Sequence, residues 1–175
     1  LTHLIQPFIT YHVLGHELYH SLFGGGGPAL DALYAHRGEC IMNHYQRTCS
    51  EFAIGACTSG RHTFIEDAPD VESNRLLHRL LREWYSDKQL EAEIEGLDTT
   101  LEQAYFYYVA STWCEKTVER TAEKVQEDKH SAKNVRINGG FSLMPEFSAA
   151  FGCKEGDPMF IKKEESCYVF GPESS

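Results

Sequence analysis

No CxxC pair occurs among the six cysteines, so cysteine-ligated zinc knuckles and thioredoxin-type motifs are excluded, and disulfides in an oxidising compartment become the natural use of the thiols. No apolar run has the length needed to span a bilayer, and the first residues lack the h-region and cleavage pattern of a signal peptide. Positive charge is scarce: 16 Lys and Arg stand against 26 Asp and Glu, and a formal net charge of −10 without a basic stripe excludes binding to nucleic acid, which rests on neutralising phosphates. Internal repeats and low-complexity linkers are also missing, so solenoids and tethered modules do not apply. What remains is a chain of 175 residues, 42% hydrophobic and 12% aromatic, enough to bury one core. It opens on Leu1, close to its most informative motif, as one domain cut from something larger would.

That motif is His16-Glu17-Leu18-Tyr19-His20. On a helix, residues four apart share a face, so HExxH turns two imidazoles toward one point. Neutral ring nitrogens suit zinc, and the intervening carboxylate can take a proton from a water that the metal activates. Phe8, Ile9, Val13, Leu14, Leu18 and Leu22 recur at mostly helical spacing, which predicts a half-buried amphipathic helix over 6–22. Pro7 suits its first turn, and the run Gly24 to Gly27 with Pro28 ends it. The motif needs a third ligand, and Glu66 with Asp70, one helical turn apart, is the best-fitting segment. One carboxylate can reach the metal while the other accepts the second ring proton of a ligand histidine. Taken alone, the same stretch also reads as an acidic helix start around Pro69.

Further helices are expected over 28–45, 70–86, 101–114, 118–128 and 145–151. Leu77, Leu80, Leu81 and Trp84 mark a buried stripe, and Tyr105, Phe106, Tyr108, Val109 and Trp113 read as core. Residues 98–102 offer a capping box, 49–62 reads as a loop or short extended pair, Gly139-Gly140 as a break, and 162–165 as a solvated turn.

Six blocks in order resemble the neprilysin and endothelin-converting enzyme group of zinc endopeptidases, in its C-terminal catalytic portion. These are Gly15 to His20, Glu66 to Asp70, Thr112-Trp113-Cys114, Asp128 to Arg136, Glu146-Phe147 with Ala150 to Cys153, and Cys167 before Phe170. The resemblance implies a mainly α, gluzincin-like (thermolysin-like) catalytic domain, helical with at most short strands. Residues 1–175 would be its C-terminal part, the N-terminal lobe missing. It implies His16, His20 and Glu66 as ligands of one zinc, Glu17 as general base, and Asp70 as the carboxylate orienting a ligand imidazole. His130 would stabilise the oxyanion and Arg136 hold a substrate carbonyl; without the family, those two are a loop histidine and a surface cation. Peptides are the implied substrates, cut before large apolar residues. The implied location is extracellular, either secreted or as the ectodomain of a single-pass membrane protein.

By the family pattern Cys40 pairs with Cys167, while Cys114 and Cys153 would bond the missing N-terminal lobe. Cys49 and Cys57 have no family counterpart, and either close a local bridge or remain buried thiols. Where the family usually places an aspartate three residues after the second histidine, this chain has Phe23; Ile65, Asp67 and Pro69 are also departures. They keep a second reading open, a catalytically weak homologue that binds peptides or a partner.

Overall fold

Long stretches of helix-forming sequence, interrupted by few strong breakers, fold into a mainly α structure. The computed structural model describes residues 2–25, 27–58, 60–116 and 119–170. Three long helices, α1 (Thr2–Gly25), α2 (Gly27–Phe52) and α3 (Gly60–Trp84), precede five shorter ones. Those are α4 (Asp87–Leu90), α5 (Leu101–Ser111), α6 (Ala122–Glu127), α7 (Lys133–Ser142) and α8 (Pro145–Ala150), followed by a 3₁₀ turn, Lys163–Glu165, on the exposed charge run. Among the described residues β pairing is confined to isolated bridges, Gly55 with Arg120 and Glu93 with Thr100.

The central element is α3. Its Ala68 and Val71 join Tyr34, Ile41, Tyr45, Val135, Leu143 and Val169 in one core cluster. Two turns on, Leu77 and Leu81 join Leu101, Tyr105, Phe106, Phe141 and Met144 in a second. A helix that contributes to both clusters is fixed along most of its length by burial. This explains why α3 begins at Gly60 rather than near residue 70, and why Pro69, buried in its interior, does not end it. Pro69 removes one N–H from the helical ladder, and the packing on both sides outweighs that loss. Trp84 is a correction: it is 50% exposed and meets Tyr11 edge to face at 6.2 Å rather than closing the core.

Helix α1 is turned differently from its apolar pattern. Val13, Leu14 and Leu18 are 55–58% exposed, whereas His12, Gly15 and Tyr19 are buried. The polar face carrying His12, His16 and His20 is the one held against α3, because α3 offers carboxylates there. Phe8 and Ile9 have side chains outside the described set, as has all of Gly26.

Helix α2 continues past residue 45 to Phe52, leaving only the segment after it as a loop. The helix expected over 118–128 is shorter, capped by Thr121; its expected first residue, Val118, lies outside the described residues. At α5 the capping box is reciprocal: Thr100 Oγ1 accepts from the Gln103 amide at 3.2 Å, and Gln103 Oε1 accepts from the Thr100 amide at 3.0 Å.

The largest departure is α7, which runs straight through Gly139-Gly140. Neither glycine breaks the helix; both serve close packing. A Cβ on Gly139 would come within 2.9 Å of the buried Tyr45 ring, and one on Gly140 within 3.0 Å of Asn74 Nδ2. Two disulfides fasten the periphery. Cys40 of α2 bonds Cys167 with Cα atoms 5.5 Å apart, and Cys49 bonds Cys57 at 5.8 Å, closing the turn after α2. Cys114, exposed, and Cys153, half-buried, are free thiols.

Candidate metal centre

Two antiparallel requirements meet at this site: one helix must present nitrogen donors and its neighbour must present oxygens at matching height. Helix α1 supplies His16 and His20 one turn apart, and α3 supplies Glu66 and Asp70 one turn apart. Gly15 lets the helices approach, since even a methyl group there would lie 3.1 Å from Ser73 Cβ.

The donor atoms converge. His16 Nε2 and His20 Nε2 are 2.9 Å apart, and Glu66 Oε2 lies 3.3 Å from the first and 3.4 Å from the second. Ligand atoms about 2.0–2.1 Å from a tetrahedral zinc ion stand roughly 3.3 Å from one another, so this triangle fits such an ion. It is the one cluster of potential metal ligands among the described residues.

Around the triangle, Asp70 Oδ1 lies 2.8 Å from His16 Nδ1, an acceptor for the proton on that nitrogen that orients the ring with Nε2 toward His20 and Glu66. Arg136, from α7, donates to Asp70 through Nε at 2.5 Å and Nη2 at 2.9 Å, and its guanidinium stacks 4.2 Å above the Trp113 ring. Burial alone would push the Asp70 carboxyl up, but the His16 and Arg136 bonds outweigh it and hold Asp70 below its ordinary value. Burial would likewise lower His16, and the Asp70 hydrogen bond reverses this, raising the imidazole.

His130 approaches from the loop before α7, its Nε2 3.3 Å from Glu66 Oε2 and its Nδ1 2.9 Å from Asp128 Oδ1. Glu17 is exposed at a cleft of about 400 Å³ that it lines together with His16, His20, Glu66, His130 and Arg136. A second cleft of about 710 Å³ shares Trp113, His130 and Arg136 with the first, and its Lys133 and Arg120 are paired with Glu115 and Asp128 of the same lining at 2.8 and 2.7 Å. Phe23 sits in an aromatic cluster with Tyr34, Phe64 and Phe170, so its position gives His20 no acceptor.

The sequence profile of Peptidase family M13 matches residues 10–167. The chain belongs to peptidase family M13. Neprilysin-2 of Drosophila melanogaster is 28% identical over 162 residues, covering 85% of this chain and 21% of that protein. Membrane metallo-endopeptidase-like 1 of Mus musculus is 27% identical over 165 residues, 86% of this chain and 22% of its own length. Endothelin-converting enzyme 1 of Homo sapiens is 29% identical over 163 residues, 84% and 20% respectively. The chain thus spans about a fifth of the length of the curated relatives it matches. No helix among the described residues is long and apolar enough to cross a membrane.

The M13 match contains every residue of the cluster, and one further residue of the smaller cleft that sequence patterns did not single out. His12, one turn before His16, lines the smaller cleft, and burial lowers its imidazole. Its i, i+4, i+8 register with His16 and His20 was a legible signal.

Proposed function

We propose that this chain is the zinc-binding, C-terminal part of the catalytic domain of an M13 metalloendopeptidase that hydrolyses peptides. The observation that carries the proposal is the His16, His20, Glu66 triangle, whose spacing suits zinc and whose first imidazole is oriented by Asp70. His16, His20 and Glu66 would hold the ion. Bound zinc supplies Lewis acidity, polarising a carbonyl and bringing the pKa of a water to about 7.

The remaining chemistry belongs to side chains. Glu17, open to the cleft, takes the proton from the attacking water and passes it to the departing amine. His130 donates to the developing negative oxygen, and Arg136, two of whose nitrogens are occupied by Asp70, offers its third to a substrate carbonyl. Peptides would lie along the two joined clefts, with cleavage before large apolar residues as in the neprilysin group. The exposed apolar residues of α1 and the free Cys114 and Cys153 suit attachment of an N-terminal lobe. Two disulfides support an extracellular setting, secreted or as the ectodomain of a membrane-anchored protein.

A weakly catalytic, peptide-binding homologue is the second reading, favoured by Phe23, which leaves His20 without a supporting carboxylate at that position. One experiment separates the two. In the full-length protein, Glu17→Gln should abolish hydrolysis while retaining one zinc per chain, and Glu66→Ala should lose the zinc. Wild-type cleavage by Glu17→Gln would overturn the proposed general base. A wild-type protein that binds zinc and peptide without cutting it would establish the second reading.

A further inference from the structure

The loop that delivers His130 is anchored to the same helix that delivers Glu66. Ser131 Oγ lies 3.0 Å from Asp67 Oδ2 and 3.0 Å from Thr63 Oγ1, and Thr63 Oγ1 donates to the same Asp67 oxygen at 2.5 Å. All three residues are buried, Thr63 and Asp67 completely. Next to Thr63, His62 Nε2 lies 3.0 Å from the Asp128 carbonyl oxygen. Asp128 accepts from the His130 amide and ring, both at 2.9 Å, while Arg120 binds its other oxygen at 2.7 Å. Exposed loops ordinarily wander, and His130 itself has a side chain 49% open to solvent. A buried hydroxyl one residue away, held by two partners on α3, removes that freedom.

We infer that the Thr63, Asp67 and Ser131 cluster is the positioning device for His130, setting its imidazole against Glu66 through hydrogen bonds to α3. The assignment rests on the proposed role of His130, and Ser131 is a positioning residue, acting through its neighbour. Its sequence signal is slight. Asp67 is a departure from the asparagine of the neprilysin pattern, yet either side chain keeps the acceptor oxygen that Ser131 and Thr63 require.

The test uses the full-length, zinc-loaded protein. Ser131→Ala should lower kcat about tenfold to a hundredfold with little change in KM and unchanged zinc content, because a misplaced donor loses transition-state contact rather than binding. Adding Ser131→Ala to His130→Ala should cost nothing further, which a merely structural role would not reproduce. Asp67→Asn, retaining the acceptor, should stay within a few-fold of wild type. Independently of activity, amide hydrogen exchange over residues 129–132 should rise at least several-fold in Ser131→Ala and not in Asp67→Asn. If His130→Ala leaves hydrolysis intact, the role proposed for His130 fails. If His130→Ala is impaired while Ser131→Ala retains wild-type kcat and wild-type exchange, the positioning inference alone is overturned. Should Ser131→Ala fold poorly, Thr63→Val, which removes one of the two partners of Ser131, should move the same two readouts in the same direction by a smaller factor, and wild-type values of both would overturn the inference.

Discussion

Arg136 and Asp70 lie side by side in a double hydrogen bond, Nε to Oδ2 and Nη2 to Oδ1, with side chains only 7% and 3% exposed. The same Oδ1 also faces His16 Nδ1, so one carboxylate links a ligand candidate to a cation. Its charge is therefore needed twice.

Asp70→Asn keeps the shape and an acceptor for His16 but takes from buried Arg136 the carboxylate that binds it twice, leaving it Glu66 at 4.0 Å. Breaking such a pair costs about 3–5 kcal/mol. Loss of the carboxylate behind His16 should weaken zinc binding about tenfold to a hundredfold. Urea unfolding and competition with a chelator measure the two effects; a variant matching wild type in both would remove Asp70 from the site.

Two buried groups should give opposite pH dependences to the stability of the zinc-free protein. Burial and nearby Arg47 push His44 down to about 4, against the upward pull of the Gly139 carbonyl. The unfolded chain takes up this proton near pH 6.5, so the contribution of neutral His44 is present above that pH and is lost as pH falls toward about 4. Asp67 behaves inversely: burial lifts it to about 8, so its contribution is present below about pH 4 and is lost as pH rises through about 8. Relative to wild type, His44→Gln should flatten the acid limb by on the order of 3 kcal/mol between pH 7 and 4. Asp67→Asn should gain relative stability from pH 6 to 9. Urea titrations across that range read both slopes.

Gly139→Ala places a methyl group 2.9 Å from the Tyr45 ring, which is itself 1% exposed and donates to the Arg136 carbonyl at 3.2 Å. Overpacking costs about 1–3 kcal/mol, while alanine returns about 1 kcal/mol of helix propensity. The expected outcome is a net loss of about 1 kcal/mol and a lower Tm. A stabilised Gly139→Ala would mean that α7 can move away from Tyr45.

The two disulfides differ chiefly in the length of chain they close, 127 residues for Cys40–Cys167 and 8 for Cys49–Cys57. Loop-closure entropy predicts that replacing the first pair by alanine costs about 5 kcal/mol and the second about 2.5 kcal/mol. Equal losses in denaturant midpoints would show that native-state contacts, rather than loop length, set the effect.

The sequence made the site more legible than the fold around it. His16, His20, Glu66 and Asp70 could be paired because helical register alone brings residues four apart onto one face. A capping box at the start of α5 was readable for the same local reason, although its partner is Gln103, one residue beyond the 98–102 stretch, and so were the entry and exit of α8 at Pro145 and Gly152. What escaped notice depended on partners far away in sequence. Pro69 and the glycines of α7 look like breakers until the burial of α3 and the ring of Tyr45 are known. The apolar pattern of α1 did not mark the face that packs on α3, because the carboxylates that meet its histidines lie some fifty residues downstream.

Tyr19, between the two histidines, packs on Phe170 with ring centroids 5.2 Å apart, and Phe23 joins from the next turn at 5.4 Å. One part of the support beneath the first helix is therefore made last: it comes from a residue synthesised after nearly everything else described here. Contacts of such high sequence separation form slowly. Until Phe170 arrives, the first helix rests on α3, through Gly15 against Ser73 and His16 against Asp70, and the aromatic side of its histidine-bearing turns is uncovered.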